Sequence, residues 1–323
     1  MLDCSVHLAE INMESLSLLR AVLAPRPHIE MRESHVQCAH PGGLHRVHYT
    51  EWGDPDNPNV VMCVHGLTRN GRDFDFLAER LCGEFRVVCP DVVGRGSSEW
   101  LGDPAHYTIP QYVNDMVSLV ARLKVETLAW VGTSMGGLMG MALASLPQTP
   151  ITRLVMNDVG PVIEAEAIER IGEYVGRAPR FGTIDEAEGF IRALCAPFGP
   201  LTDAQWRHIT LHALRERAGG YEMRYDPRIG EAFRGEGRPG RVDLWPMFDA
   251  IQCPTLVLRG GDSDLLSVAT FKQMAERGPR VSTHEIPGVG HAPMLMDEQQ
   301  IGVVRGFLCD PGSRRKPLSR ITA

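Results

Sequence analysis

No stretch of this 323-residue chain approaches the ~20 consecutive apolar residues needed to cross a membrane. There is no excess of positive charge. Against 33 Lys and Arg stand 40 Asp and Glu, a formal net charge of -7, which argues against a nucleic-acid partner because such a partner needs a basic face. The N-terminus lacks the basic segment of a secretory signal. Residues 16–24 are apolar, but Asp3, Glu10 and Glu14 precede them. The cysteines (Cys4, Cys38, Cys63, Cys82, Cys89, Cys195, Cys253 and Cys309) include no Cys-x-x-Cys and no paired spacing. That leaves no zinc-ligand pattern and no disulfide framework. Cys63 and Cys89 fall in apolar, strand-like runs, so the thiols read as reduced and buried and the expected location is cytoplasmic. No internal repeat is present.

What the chain does contain is the composition of an ordinary globular protein, 43% apolar and 23% charged. From about Val36 it alternates short apolar runs with segments of helical spacing. Residues 47–52, 60–64, 85–89, 128–131, 153–156, 254–259 and 281–286 read as strands, several of them apolar throughout, as expected for strands covered on both faces. Residues 74–81, 109–123, 138–146, 270–277 and 298–308 read as helices. Thr108 is a candidate N-cap and Pro110 lies in the first turn that follows it. Alternating β and α implies a mostly parallel sheet flanked by helices, an α/β fold. The rhythm breaks over residues 160–245, which are charged, helical in spacing and without a strong strand. Aromatic residues recur there at Tyr174, Phe181, Phe190, Phe198, Trp206, Tyr221, Tyr225 and Phe233. The expected organisation is an N-terminal extension (1–35), a core in two parts (36–159 and 246–309), an inserted helical cap with an aromatic underside (160–245), and a basic tail (310–323).

Gly132-Thr133-Ser134-Met135-Gly136 carries the strongest chemical signal. An apolar strand leads into it and a helix-forming run leads out, so Ser134 falls on a sharp strand-to-helix turn. There its hydroxyl is exposed at a helix N-terminus, where backbone N–H groups can receive an oxyanion. His65-Gly66 directly follows the run 60–64. It suits a turn over the C-terminal edge of the sheet, with the Leu67 and Met135 amides as the two donors of an oxyanion hole. His65 reads as an organiser of that loop. Gly260-Gly261-Asp262-Ser263-Asp264 follows another strand and offers two carboxylates that could orient a histidine. Gly288-Val289-Gly290-His291 follows the last strand and offers a general base. The loop from Asp91 to Ser98 is glycine-rich and reads as structural, with Asp91 anchoring it.

Ser134, an aspartate and His291 occur in the chain order Ser…Asp…His. On these motifs the chain resembles the α/β-hydrolase family from about Val36 to Leu308. The resemblance implies a sheet with an inserted cap and a Ser134–His291–Asp catalytic triad acting by acyl transfer. In relatives of this pattern the acid commonly sits three residues after a glycine and just before an apolar pair, which selects Asp264, followed by Leu265 and Leu266. Asp262 and Asp158 remain alternatives. Serine at the elbow argues against members that need a carboxylate nucleophile for epoxides or halides. The expected function is carboxylesterase, acting on a small-molecule ester with an apolar acyl or aryl group, without cofactor or metal. Lactonase, thioesterase, acyltransferase and carbon–carbon bond hydrolase chemistries use the same residues. The run from His65 to Asn70 lacks the Ser-Gly-Pro-Gly segment associated with the carbon–carbon hydrolases. A binding protein without catalysis is a further reading of the fold. The sequence leaves a homo-oligomer open.

Overall fold

The computed structural model describes residues 30–234, 240–277 and 280–310. Residues 1–29 of the expected N-terminal extension and the basic tail beyond Asp310 therefore lie outside the described residues. An eight-stranded sheet runs in the order β1-β2-β4-β3-β5-β6-β12-β13. It begins with an antiparallel hairpin of β1 (Arg32–His40) and β2 (Gly43–Trp52), and β2 pairs antiparallel with β4 (Arg86–Pro90). From β4 onward the neighbours β3 (Val60–Val64), β5 (Leu128–Thr133), β6 (Ile151–Asn157), β12 (Thr255–Gly260) and β13 (Val281–Ile286) are parallel. The first strand starts at Arg32, ahead of the expected core boundary at Val36, and was missed as a strand. Its pattern of burial alternates with many exposed positions, so its sequence lacks the continuous apolar run that marks the central strands.

The central strands are apolar throughout because each face meets helices. Along β3, Val60, Met62 and Val64 join one buried cluster, while Val61 and Cys63 join another. The same split separates Leu128 and Trp130 from Ala129 and Val131 on β5. A period of two places successive side chains on opposite faces. α1 (Asp75–Leu81) and α9 (Glu298–Cys309) cover one face; α2 (Ile109–Leu123) and α3 (Met135–Ala144) cover the other. Thr108 caps α2, accepting from the Gln111 N–H, and Lys124 ends it in the left-handed conformation.

Between β6 and β12 the chain leaves the sheet. This insertion contains α4 (Ala165–Tyr174), α5 (Ile184–Leu194), α6 (Asp203–Ala213) and, at its return, α7 (Trp245–Asp249); α8 (Val268–Arg277) follows β12. It also contains strands, contrary to the helical expectation. β9 (Leu214–Arg217) and β10 (Gly220–Met223) form a hairpin to which β8 (Arg180–Phe181) adds, and β7 (Val162–Ile163) pairs with β11 (Val242–Asp243). These strands are too short to set up a period in sequence. The hairpin is made by Gly219 and Gly220, both at positive φ (84° and 151°). The insertion's aromatics are also divided between roles. Phe181 and Trp206 are buried in a cluster with Ile191, Ile209, Met294 and Met296, so they form the insertion's own core and seat it on the loop after His291. Phe190 is exposed.

Candidate active site

Ser134 stands between β5 and α3 with φ 53° and ψ −116°, a conformation costly for a residue with a Cβ. Close packing on all sides holds it there. The Ser134 N–H donates to the Asn157 carbonyl at 2.9 Å. A methyl group on Gly132 would lie 2.2 Å from the Gly136 carbonyl oxygen, and one on Gly136 would lie 2.0 Å from that of Val64. Only glycine lets β5, α3 and the end of β3 approach so closely. The indole of Trp130 donates to the Gly136 carbonyl at 2.9 Å and fixes the first turn of α3.

His291 lies on the loop after β13. Its Nε2 is 2.9 Å from Ser134 Oγ and its Nδ1 is 2.7 Å from Asp158 Oδ2. Asp158 is fully buried. It also accepts from the Gly260 N–H (2.9 Å, Oδ1) and from the Ser263 hydroxyl (2.7 Å, Oδ2). With these donors the carboxylate presents an acceptor edge to the imidazole, which places the ring proton on Nδ1 and leaves the Nε2 lone pair facing Ser134.

The expectation that Asp264 is the partner of His291 is therefore corrected. Asp264 is 55% exposed and pairs with Arg170 of the insertion, Oδ2 to Nε at 3.0 Å. Asp262 is also exposed. In the loop after β12 the inward-facing side chain is Ser263, and its hydroxyl reaches down to Asp158. The reason is sheet order: β6 lies between β5 and β12, so a residue at the end of β6 stands between the strand that leads into Ser134 and the loop that follows β12. Asp158 adopts φ 54° there, turning its side chain back over the sheet edge. The Asn157-Asp158 pair ending a strand was the available signal.

His65 and Gly66 follow β3, and a methyl on Gly66 would lie 3.7 Å from Ser134 Cβ, so this loop overhangs the serine. The fully buried His65 ring donates from Nδ1 to the Gly66 carbonyl (2.7 Å), and its Nε2 accepts from the Val92 N–H (2.9 Å). Burial pushes its pKa down to about 4, so the ring is neutral and joins two loops. Its folded-state pKa lies below the unfolded value near ~6.5. The stability it contributes is present above pH 6.5 and is lost as pH falls toward 4. Going from pH 7 to pH 5 should remove about 2 kcal/mol of unfolding free energy through this residue. Urea unfolding at the two pH values checks this: His65→Gln should flatten the difference by that amount, and an unchanged difference would reject it.

Leu67 follows Gly66 on the overhanging loop, and Met135 follows Ser134 at the start of α3. Sequence reasoning missed the side chain that links them. Arg95, fully buried, donates from Nε to the Leu67 carbonyl (2.9 Å) and from Nη1 to the Val93 carbonyl (2.7 Å), with Nη2 3.7 Å from Met135 Sδ. Its guanidinium lies over the Tyr112 ring at 4.7 Å. An arginine between Gly94 and Gly96, in a loop flanked by Val92 and Val93, was the signal for it. Asp91 anchors the same loop, accepting from the Gly71 and Ser97 amides and from His48. Burial opposes its charge, and these donors more than offset that, holding its carboxyl below the usual range.

A serine on a tight strand-to-helix turn, an imidazole bonded to it and a buried carboxylate behind the imidazole make up a hydrolase-type arrangement. A sequence model of the alpha/beta hydrolase family matches residues 61–304. The chain belongs to the alpha/beta hydrolase family. A 3-hydroxybutyrate-oligomer hydrolase from Cupriavidus necator is 50% identical over 281 residues, spanning 84% of this chain and 96% of that protein. Among solved structures, an alpha/beta hydrolase from Novosphingobium aromaticivorans superposes with a TM-score of 0.77 at 37% identity, covering 88% of this chain and 99% of that one. A hydrolase-like chain from Rickettsia typhi gives 0.80 at 31% identity, covering 86% and 98%. Among the described residues no helix is long and apolar enough to cross a membrane.

Proposed function

We propose that this alpha/beta hydrolase is an esterase that cleaves short oligomers of 3-hydroxy acids through an acyl-enzyme on Ser134. The observation that carries the reading is the bonded series Ser134–His291–Asp158 at 2.9 and 2.7 Å. The choice of substrate is supported by the 50% identity to a 3-hydroxybutyrate-oligomer hydrolase over nearly all of that protein's length.

In this mechanism His291 Nε2 takes the hydroxyl proton as Ser134 Oγ attacks the ester carbonyl carbon. The Leu67 and Met135 amides stabilise the oxyanion. Asp158 keeps the proton of Nδ1 facing it and stabilises the imidazolium that forms. The tetrahedral adduct collapses by breaking the bond to the alcohol oxygen, which takes the proton from Nε2. His291 then removes a proton from water as the water attacks the acyl-enzyme. A second collapse releases the hydroxy acid and returns the proton to Ser134. Every step uses side chains of this chain, two backbone amides and water.

The reading is tested with purified protein and 3-hydroxybutyrate dimer and trimer, following monomer release by chromatography. Monomer should accumulate at a rate proportional to enzyme. Turnover of p-nitrophenyl butyrate with both oligomers untouched would retain an esterase and reject the substrate.

A further inference from the structure

One guanidinium near the nucleophile is held firmly while part of it stays unused. Arg69 is on the loop that overhangs Ser134, its N–H donating to the Gly66 carbonyl at 3.2 Å. A methyl on Gly66 would lie 3.7 Å from Ser134 Cβ and 3.8 Å from Arg69 Cγ, so Gly66 neighbours both side chains. The side chain is only 12% exposed. Nε donates to Asp73 Oδ2 at 2.8 Å, and Nη2 donates to Oδ1 of the same carboxylate. This bidentate pair fixes the plane of the guanidinium. Among the described residues, Nη1 has no acceptor.

The far side of Arg69 is bounded by the cap. Its guanidinium carbon lies 5.8 Å from the Phe198 ring centroid. Phe198 closes a short turn with Pro197, whose carbonyl accepts the Gly290 N–H at 2.7 Å. Gly290 immediately precedes His291. One cap turn thus touches both the arginine and the loop of the histidine that would protonate a leaving alcohol. Arg69 is thereby tied to the loop beside Ser134 on one side and, through Phe198 and Pro197, to the loop of His291 on the other.

We propose that Arg69 Nη1 binds the carboxylate of the leaving hydroxy acid, so that the enzyme recognises the free acid end of its oligomer. In a 3-hydroxy acid dimer that carboxylate is only a few bonds from the scissile ester, and Arg69 lies three residues along the loop from Gly66, which neighbours Ser134. Asp73 orients the fork and offsets part of its charge. The arginine then reads the carboxylate mainly through directed hydrogen bonds. A neutral ester at the same place would leave Nη1 without that partner. The inference rests on the hydroxy-acid ester reading above.

The test compares 3-hydroxybutyrate dimer as the free acid with its methyl ester, in wild type, Arg69→Gln and Arg69→Lys. Wild type should favour the free acid by about tenfold to a hundredfold in kcat/KM, mostly through KM. Arg69→Gln should bring that ratio near one, and Arg69→Lys should keep part of it. Because the ratio is taken within one protein sample, partial loss of folded enzyme divides out. A ratio unchanged in Arg69→Gln, or no preference in wild type, overturns the proposal. If Arg69→Gln does not fold, wild type decides: 3-hydroxybutyrate anion must inhibit competitively better than its methyl ester, and equal inhibition overturns it. If neither dimer is cleaved, the substrate reading has failed by itself. The same ratio on O-butyryl 3-hydroxypropionate and its methyl ester then judges Arg69.

Discussion

Ser134→Ala is expected to lower kcat on p-nitrophenyl butyrate by about a millionfold while leaving the protein folded. The size follows from losing the nucleophile, since the remaining site can only orient a water against the carbonyl. The retained fold follows from what the side chain does. Ser134 makes no helix-capping bond, and its hydroxyl is paired with His291 Nε2. Its backbone strain is the same for alanine, because both residues carry a Cβ at φ 53°. The melting temperature should therefore stay within a few degrees of wild type. A fluorophosphonate probe should add its mass to wild type and not to the variant. Turnover at more than a hundredth of the wild-type rate in a contaminant-free preparation would remove Ser134 from the mechanism.

Asp158→Asn should lower kcat by about ten-thousandfold, whereas Asp264→Asn should stay within about threefold of wild type. The amide can turn its NH2 toward His291 and hold the imidazole in the tautomer that leaves no lone pair for Ser134. It also accepts through one oxygen where the carboxylate serves Gly260, Ser263 and His291. Some loss of stability, on the order of 1–3 kcal/mol, should accompany the loss of rate. Asp264 has no such duties. Its exposed bridge to Arg170 contributes little. The contrast is read from kcat at saturating ester together with thermal melts of both variants. An active Asp158→Asn beside a crippled Asp264→Asn would return the acid to the loop after β12.

Ser134, His291 and the overhanging loop could be placed from sequence because each sits in a local pattern. A glycine-flanked serine between an apolar strand and a helix needs no distant partner to be noticed. The same is true of Gly288-Val289-Gly290-His291. The acid could not be read this way. Asp158, Asp262 and Asp264 all follow strands, and a motif that favours the third carries no information about which strands are neighbours. The hairpin of the insertion escaped for a related reason: four-residue strands are below the length at which alternation can be recognised. For Arg69 and Arg95 what matters is the partner, Asp73 and the Leu67 carbonyl respectively, and the fold sets both pairings.

The sequence by itself determined which short segments could be buried strands, where glycine allows the backbone to turn sharply, and hence Ser134 and His291. These depend on steric and hydrophobic properties carried by adjacent residues. Tertiary structure alone decided the partner of the histidine, the buried arginine bonded to the Leu67 carbonyl, and the pairing of Arg69 with Asp73. Each of those depends on distances between residues far apart in the chain, and the order of strands in the sheet sets those distances.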